Sequence, residues 1–82
     1  MGTAYMKKVI VAADYAALEA DRTVLNCEIS CPPGNAANVT FKVAGNEVDW
    51  IPGEYHALRQ VDLATIQIKG TPGDVITIVG EV

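Results

Sequence analysis

The sequence is poor in the residues that metal binding and nucleic-acid binding usually require. It has one histidine, two cysteines and six lysine or arginine residues among 82, and its formal net charge is -4. The only adjacent basic pair is Lys7-Lys8, so no basic patch can neutralise a row of phosphates. One histidine and two cysteines also fall short of a structural zinc set. We predict no nucleic-acid binding, no metal and no cofactor.

Long apolar runs are absent as well. After Lys7-Lys8 the apolar stretch at residues 9–13 ends at Asp14, whereas a signal-peptide core needs roughly 7 to 15 apolar residues. No stretch approaches the roughly 18 apolar residues of a membrane-spanning helix. We therefore interpret this segment as a first β-strand and predict no membrane association.

Cys27 and Cys31 are four positions apart in a run whose odd positions are apolar. In an extended strand this spacing separates the two Cα atoms by about 13 Å, which is beyond the reach of a disulfide. We predict two free thiols that pack as small apolar residues, as expected in a reducing compartment.

The length and composition indicate one small folded domain over residues 1–82. Half of the residues are apolar and 20% are charged, which is too apolar for a disordered chain. A chain of this size buries only roughly 60 to 65% of its unfolded surface, so self-association would add useful stability. Residues 1–21 are expected to form an extended N-terminal arm or an edge segment.

Apolar residues alternate with polar ones over most of the chain, which is typical of half-buried strands. The expected inward-facing sets are Leu25, Cys27, Ile29 and Cys31; Val39, Phe41 and Val43; Val48 and Trp50; Ile66 and Ile68; and Ile76 and Ile78. Residues 14–21 are ambiguous between one helical turn and a connector. Six or seven short strands predict an all-β fold, a small antiparallel β-sandwich or jelly-roll-like barrel.

Glycine, proline and asparagine mark the turns between these strands. Gly45-Asn46 suits a two-residue hairpin turn, and Pro52-Gly53 suits a type II turn. The segment 61–63 is expected to form a corner that plugs the core. Thr71-Pro72-Gly73-Asp74 is expected to close a final β-hairpin within residues 61–82.

His56 is the one histidine that could take part in catalysis, with Glu54, Asp49 and Asp62 near it in sequence. Two ligands leave a divalent metal under-coordinated, and no nucleophile, base and orienting group occur in a recognisable order. We predict no catalytic residue and regard His56 as an exposed or rim side chain. Trp50 is either an aromatic binding platform or, more commonly, a core residue.

The last strand has an outward face that is unusually apolar for contact with water, because Val75 and Val79 both lie on it. A second layer or another subunit is expected to cover this face. The residues expected to form interfaces are Val9, Val11, Tyr15, Trp50, Tyr55, Val75 and Val79.

The segment from Trp50 to Gly80 resembles the C-terminal half of small virion proteins of tailed bacteriophages. Its P-G-E turn, V-D-L corner, I-Q-I-K-G strand and G-D-V-I-T-I-V-G strand carry the resemblance. The resemblance implies a non-enzymatic capsid decoration (cement) or head-fibre protein with a β-sandwich fold. It also implies a homo-oligomer, with a trimer favoured, that is made in the bacterial host cytoplasm and binds the major capsid protein on the virion surface.

Two other functions remain open from the residues alone. A carbohydrate- or peptide-binding β-sandwich could use Trp50, Tyr55 and His56 along a turn-rich rim. A small hydrolase or metal-dependent enzyme is the less favoured possibility, because the groups around His56 are too few.

Overall fold

The computed structural model describes residues 2–82, and this range forms two packed antiparallel sheets. The elements are β1 (Ala4–Ile10), β2 (Ala16–Ala17), β3 (Val24–Ser30), β4 (Val39–Val43), β5 (Asn46–Trp50), β6 (Tyr55–Asp62), a 3-10 helix (Leu63–Thr65), β7 (Gln67–Lys69) and β8 (Val75–Glu81). Sheet A has the strand order β1-β8-β3-β6, and sheet B has the order β2-β7-β4-β5. The predicted all-β sandwich is confirmed, and the two-residue β2 takes the number of strands to eight within this range.

The N-terminal segment forms the edge of both sheets. β1 begins at Ala4, earlier than the apolar run alone indicates, and pairs with β8 along its whole length. Residues 14–21 form neither a helical turn nor a plain connector, because β2 within them pairs with β7 at the edge of sheet B. Residues 2–21 therefore take the form of an edge segment, and Met1 lies outside the described residues.

The core lies between the inner faces of the two sheets. The core is formed by the apolar residues at alternate positions of the strands, because successive side chains of a strand point to opposite faces of the sheet. Leu63 in the 3-10 helix is fully buried, and Asp62 caps that helix by accepting a hydrogen bond from the backbone N of Ala64 at 3.0 Å. The corner expected at residues 61–63 is present, although only Leu63 is fully buried there. Cys27 and Cys31 are buried free thiols.

The predicted final hairpin is wrong, because β7 lies in sheet B and β8 lies in sheet A. The turn itself forms as expected, with a hydrogen bond from the backbone N of Asp74 to the carbonyl of Thr71 at 3.1 Å. Both ends of the connection pair with the residues after β1 instead of with each other. The Val11 N donates to the Asp74 carbonyl at 2.8 Å, and the Gly70 N donates to the Ala12 carbonyl at 2.9 Å. The chain therefore crosses from one sheet to the other at this point.

A buried polar cluster fixes the crossing in place. The Asp74 side chain, 8% exposed, accepts backbone hydrogen bonds from Ala36 at 2.9 Å and Ala37 at 3.2 Å. The Asn35 side chain accepts from the backbone N of Val75 at 2.9 Å and donates to its carbonyl at 2.8 Å. Because buried polar groups are stable only when they are hydrogen-bonded, this cluster joins the loop after β3 to the loop before β8.

The β4–β5 hairpin turns at Ala44 and Gly45, one residue before the predicted position. Their φ angles of 51° and 81° are those of a two-residue type I′ turn. Gly53 has a φ of 94°, and the backbone N of Glu54 donates to the Ile51 carbonyl at 3.0 Å. The Pro52-Gly53 turn is thus of type II as predicted.

Candidate functional site

The residues predicted as interfaces do not form one surface in the structure. They divide between the outer face of sheet A (Tyr55, Val75 and Val79), the space between the sheets (Val9, Val11 and Trp50) and the outer face of sheet B (Tyr15). The outer face of sheet A is the candidate site, because it holds three of these residues in exposed or half-buried positions.

Three of the side chains predicted to form interfaces point into the space between the sheets instead of lying on an outer face. Val11 is 2% exposed and Trp50 is 8% exposed, whereas Val9 is half-buried and packs against the core. Val9 and Val11 point inward because the odd-numbered positions in β1 and directly after it face sheet B. Trp50 lies on the cleft-facing side of β5 together with Val48. An apolar run of consecutive residues does not reveal which of its members point inward.

The outer face of sheet A carries an apolar group of four residues, called here the β1–β8 patch: Met6, Ile10, Val75 and Val79. Met6 is 76% exposed, Ile10 68% and Val79 51%, and Val75 is half-buried. Met6 lies opposite Val79, and Ile10 lies opposite Val75, on the paired strands β1 and β8. Sequence reasoning found the β8 half of this patch and missed Met6 and Ile10.

Polar and aromatic residues continue the same face towards β6. Thr77 lies opposite both Lys8 and Ser30, and Ser30 lies opposite Tyr55, which is 63% exposed. Glu28 lies beside Val79. Lys8 and Thr77 lie between the two apolar pairs of the patch, and Glu28 borders it on the β3 side, so the surface mixes apolar side chains with charges of both signs as many protein interfaces do.

A second feature is an apolar cleft between the two sheets, called here the inter-sheet cleft. It has a volume of about 430 Å³ and is lined by Ile29, Phe41, Val43, Ala44, Asn46, Val48, Trp50, Leu58 and Ile66. The Trp50 ring stacks on Phe41 with the ring centroids 3.8 Å apart. Val48 and Val43 are 56% and 44% exposed. Val48 shares a face with Trp50 as predicted, but the open cleft leaves it in contact with water.

His56 lies beside this cleft and contacts one carboxylate. Its Nε2 is 2.7 Å from an oxygen of Glu54, and its ring meets the Trp50 ring edge-on with the centroids 4.8 Å apart. The hydrogen bond with His56, followed by one from the backbone N of Ile51, lowers the pKa of the Glu54 carboxyl. Tyr55 points to the outer face of sheet A, so Trp50, Tyr55 and His56 do not form the shared rim that was expected.

The other acids near His56 in sequence are engaged elsewhere. Asp49 accepts a hydrogen bond from the Thr40 hydroxyl at 2.7 Å. Asp62 accepts one from the backbone N of Thr23 at 2.9 Å, and this bond is the main reason that the pKa of Asp62 is lowered. Within residues 2–82 no three histidine, cysteine or acidic side chains are grouped so that they could hold a metal ion.

Tyr15 lies across the outer face of sheet B. The ammonium groups of Lys42 and Lys69 lie 5.1 Å and 4.7 Å from its ring centroid, within cation–π range. Its hydroxyl donates to Glu47, and this hydrogen bond, with a smaller effect of burial, raises the pKa of Tyr15 to about 12. These contacts attach the residues before β2 to sheet B.

Tyr5, Lys7 and Glu19 close the sandwich on the β1–β2 side. The Tyr5 hydroxyl donates to Glu19, and Lys7 lies 3.0 Å from the same carboxylate and 3.2 Å from the Leu18 carbonyl. The hydrogen bond from Tyr5 and then that from Lys7 lower the pKa of Glu19. The inter-sheet cleft lies on the opposite side of the molecule, between β5 and β6.

In the part of the chain that the structure describes, no helix is long and apolar enough to cross a membrane. No protein-family model, no curated protein and no solved structure matches this chain.

Proposed function

We propose that this protein is a non-enzymatic structural component of a tailed-bacteriophage virion, which binds the capsid exterior through the outer face of sheet A. The resemblance of residues 50–80 to small virion proteins supports this function. The observation that carries the proposal is the β1–β8 patch, because an apolar patch on a rigid sheet is typical of a docking surface.

The patch has enough apolar surface to contribute a useful contact. Full burial of a side chain of the size of Met6, Ile10 or Val79 stabilises a complex by roughly 1.5–3 kcal/mol. Association costs several kcal/mol, so one such contact alone is weak. Many copies on a symmetric lattice make the total attachment strong through multivalency.

The charges on β1 favour contact through the face of sheet A over contact through its edge. β1 is an edge strand, and Lys8 lies on its outer face while Lys7 lies on its inner face. Lysine on an edge strand discourages pairing with another strand. Contact is therefore expected through the face of sheet A, and the proposed partner is a surface of the major capsid protein. The domain is further proposed to act as a homotrimer, in which the subunits stabilise one another.

Co-sedimentation with purified capsids of the encoding phage tests this function. We expect the wild-type protein to sediment with capsids, and the double variant Met6→Ser, Val79→Ser to bind at least about tenfold more weakly, a loss of about 1.4 kcal/mol. Val48→Ser is the matched control, because Val48 has an exposure similar to that of Val79 but lies at the inter-sheet cleft. Failure of the wild type to sediment, or equal binding by the double variant, would contradict the proposal.

A further inference from the structure

β5 is a free edge of sheet B that borders the inter-sheet cleft. It pairs with β4, and no other strand within residues 2–82 lies beside it. In a two-residue hairpin the residues that flank the turn are hydrogen-bonded to each other, and the bonded pairs recur at every second position. Asn46, Val48 and Trp50 therefore bond to β4, whereas the backbone groups of Glu47 and Asp49 point away from it.

The two faces of β5 differ in chemistry. Val48 and Trp50 line the cleft, while Glu47 and Asp49 lie on the outer face of sheet B. A strand that paired with the free edge would place alternate side chains over an apolar cleft and the others beside two carboxylates. Strand addition to a sheet edge is a common mode of peptide recognition, in which such alternate side chains give the specificity.

The opposite wall of the cleft offers a poorer edge. β6 contains Gln60 with a φ of 50°, and the register between β3 and β6 shifts between Leu25 and Cys27. An irregularity of this kind twists a strand and disrupts its use as a template for pairing. β5 has no such irregularity along its paired residues.

The charges on β5 argue against a second copy of this chain as the occupant. An antiparallel pair of two β5 strands centred on Val48 would place Glu47 opposite Asp49 of the copy. Like charges that face each other across two strands are destabilising. The net charge of -4 adds to this preference for a basic partner.

We propose that the free edge of β5 and the inter-sheet cleft bind an extended segment of another protein, in which apolar residues alternate with lysine or arginine. The segment adds a strand to sheet B through the backbone groups of Glu47 and Asp49. Its apolar side chains enter the cleft above the Phe41–Trp50 stack, and its basic side chains face the two carboxylates. The cleft volume of about 430 Å³ lies within the usual range of binding pockets, roughly 300–1,000 Å³. This site is separate from the β1–β8 patch and does not depend on the proposed capsid function.

A synthetic peptide, acetyl-Lys-Val-Lys-Ile-Lys-Val-Lys-amide, tests the proposal by NMR titration and by fluorescence. Trp50 is the only tryptophan, so its emission reports directly on the cleft. We expect saturable shifts of the backbone amides of β5 and a shift of Trp50 emission to shorter wavelength. We also expect a control peptide with glutamate in place of every lysine to bind at least tenfold more weakly.

Two matched variants show where the peptide binds. Val48→Ser should weaken binding at least tenfold, whereas Val79→Ser should leave it unchanged, since the two valines have similar exposure on different surfaces. Exchange of Glu47 and Asp49 for lysine should weaken binding of the basic peptide and strengthen binding of the acidic one. Circular dichroism of each variant verifies that it is folded.

Several results would overturn the proposal. These are the absence of saturable shifts with the basic peptide, equal binding of the acidic peptide, and equal affinities of Val48→Ser and Val79→Ser. Binding of the apolar dye anilinonaphthalene sulfonate without binding of the peptide would assign the cleft to small molecules. A dimer seen by sedimentation equilibrium and lost in Val48→Ser would assign it to a second copy of the chain.

Discussion

Removal of the Asp74 carboxylate should destabilise the domain strongly, because this side chain holds two loops together. In Asp74→Ala the backbone N–H groups of Ala36 and Ala37 lose their acceptor. Hydrogen bonds to a charged group contribute about 1.5–3 kcal/mol each. Both alanines are exposed, so water can partly replace the carboxylate, and we expect a total loss of about 2–4 kcal/mol.

This loss is a large part of the stability of a small domain. A chain of this length has a free energy of unfolding of about 4–12 kcal/mol. At about 4–8 °C for each kcal/mol, the melting temperature should fall by about 10–30 °C. Asp74→Asn retains one acceptor oxygen and should lie between the wild type and Asp74→Ala.

Urea unfolding followed by Trp50 fluorescence and far-ultraviolet circular dichroism measures the effect. Asp49→Ala is the matched control, since Asp49 makes one hydrogen bond on the exposed outer face of sheet B. We expect this control to lose no more than about 1 kcal/mol. If Asp74→Ala and Asp49→Ala unfolded at the same urea concentration, the role assigned to the buried cluster would be refuted.

Three further changes test other features of the fold. Gly80→Ala places a Cβ in steric conflict with the backbone oxygen of Asn26 and 2.6 Å from the Cβ of Cys27 on β3, and it should lower the free energy of unfolding by about 1–3 kcal/mol. In the control Gly34→Ala the added Cβ meets no atom within 4 Å. Equal urea midpoints for the two variants would contradict the predicted steric conflict at Gly80. Ala44→Asn should raise stability by about 0.5–1 kcal/mol, because asparagine tolerates the left-handed φ of 51° better than alanine; a lower urea midpoint would count against the type I′ turn. The raised pKa of Tyr15 means that its neutral form is favoured in the folded state, so this contribution to stability is present below pH 10 and is lost as the pH rises through about 12. A titration of phenolate absorbance should lose a step near pH 12 in Tyr15→Phe, and persistence of that step would refute the assignment.

The positions of strands and turns could be predicted from the sequence where polar and apolar residues alternate cleanly. β3 and β4 show this contrast at nearly every position, and their inward faces are those predicted. Gly53 and Gly73 have the positive φ angles that a type II turn requires, so their turns were also predictable. These features depend on residues that are close in sequence.

The pairing of strands could not be predicted in the same way. The turn before β8 has the sequence of a hairpin turn, yet Asp74 and Gly70 bond to the residues after β1. Their partners, Val11 and Ala12, are about sixty positions away in the sequence. A local pattern contains no information on such a partner, and the crossing between the sheets was therefore missed.

The candidate sites were likewise predictable only where they depend on the alternation within a single strand. The apolar outward face of β8 follows directly from its alternation, so Val75 and Val79 were found. Met6 and Ile10 were missed because β1 carries apolar residues on both faces, and alternation then fails to identify the outer one. The inter-sheet cleft depends on how far apart β5 and β6 lie, which is a property of the folded molecule alone.

The place of β8 in the middle of sheet A determines when the protein can fold during synthesis. β1 is made first, yet its neighbour in the sheet is complete only when the ribosome has reached Glu81. Until then β1 and β3 have no strand between them, and their apolar side chains remain unprotected in the nascent chain. Sheet A therefore cannot be completed during synthesis until β8 has emerged. Slow translation or a truncated message would leave apolar strands unpaired and prone to aggregation.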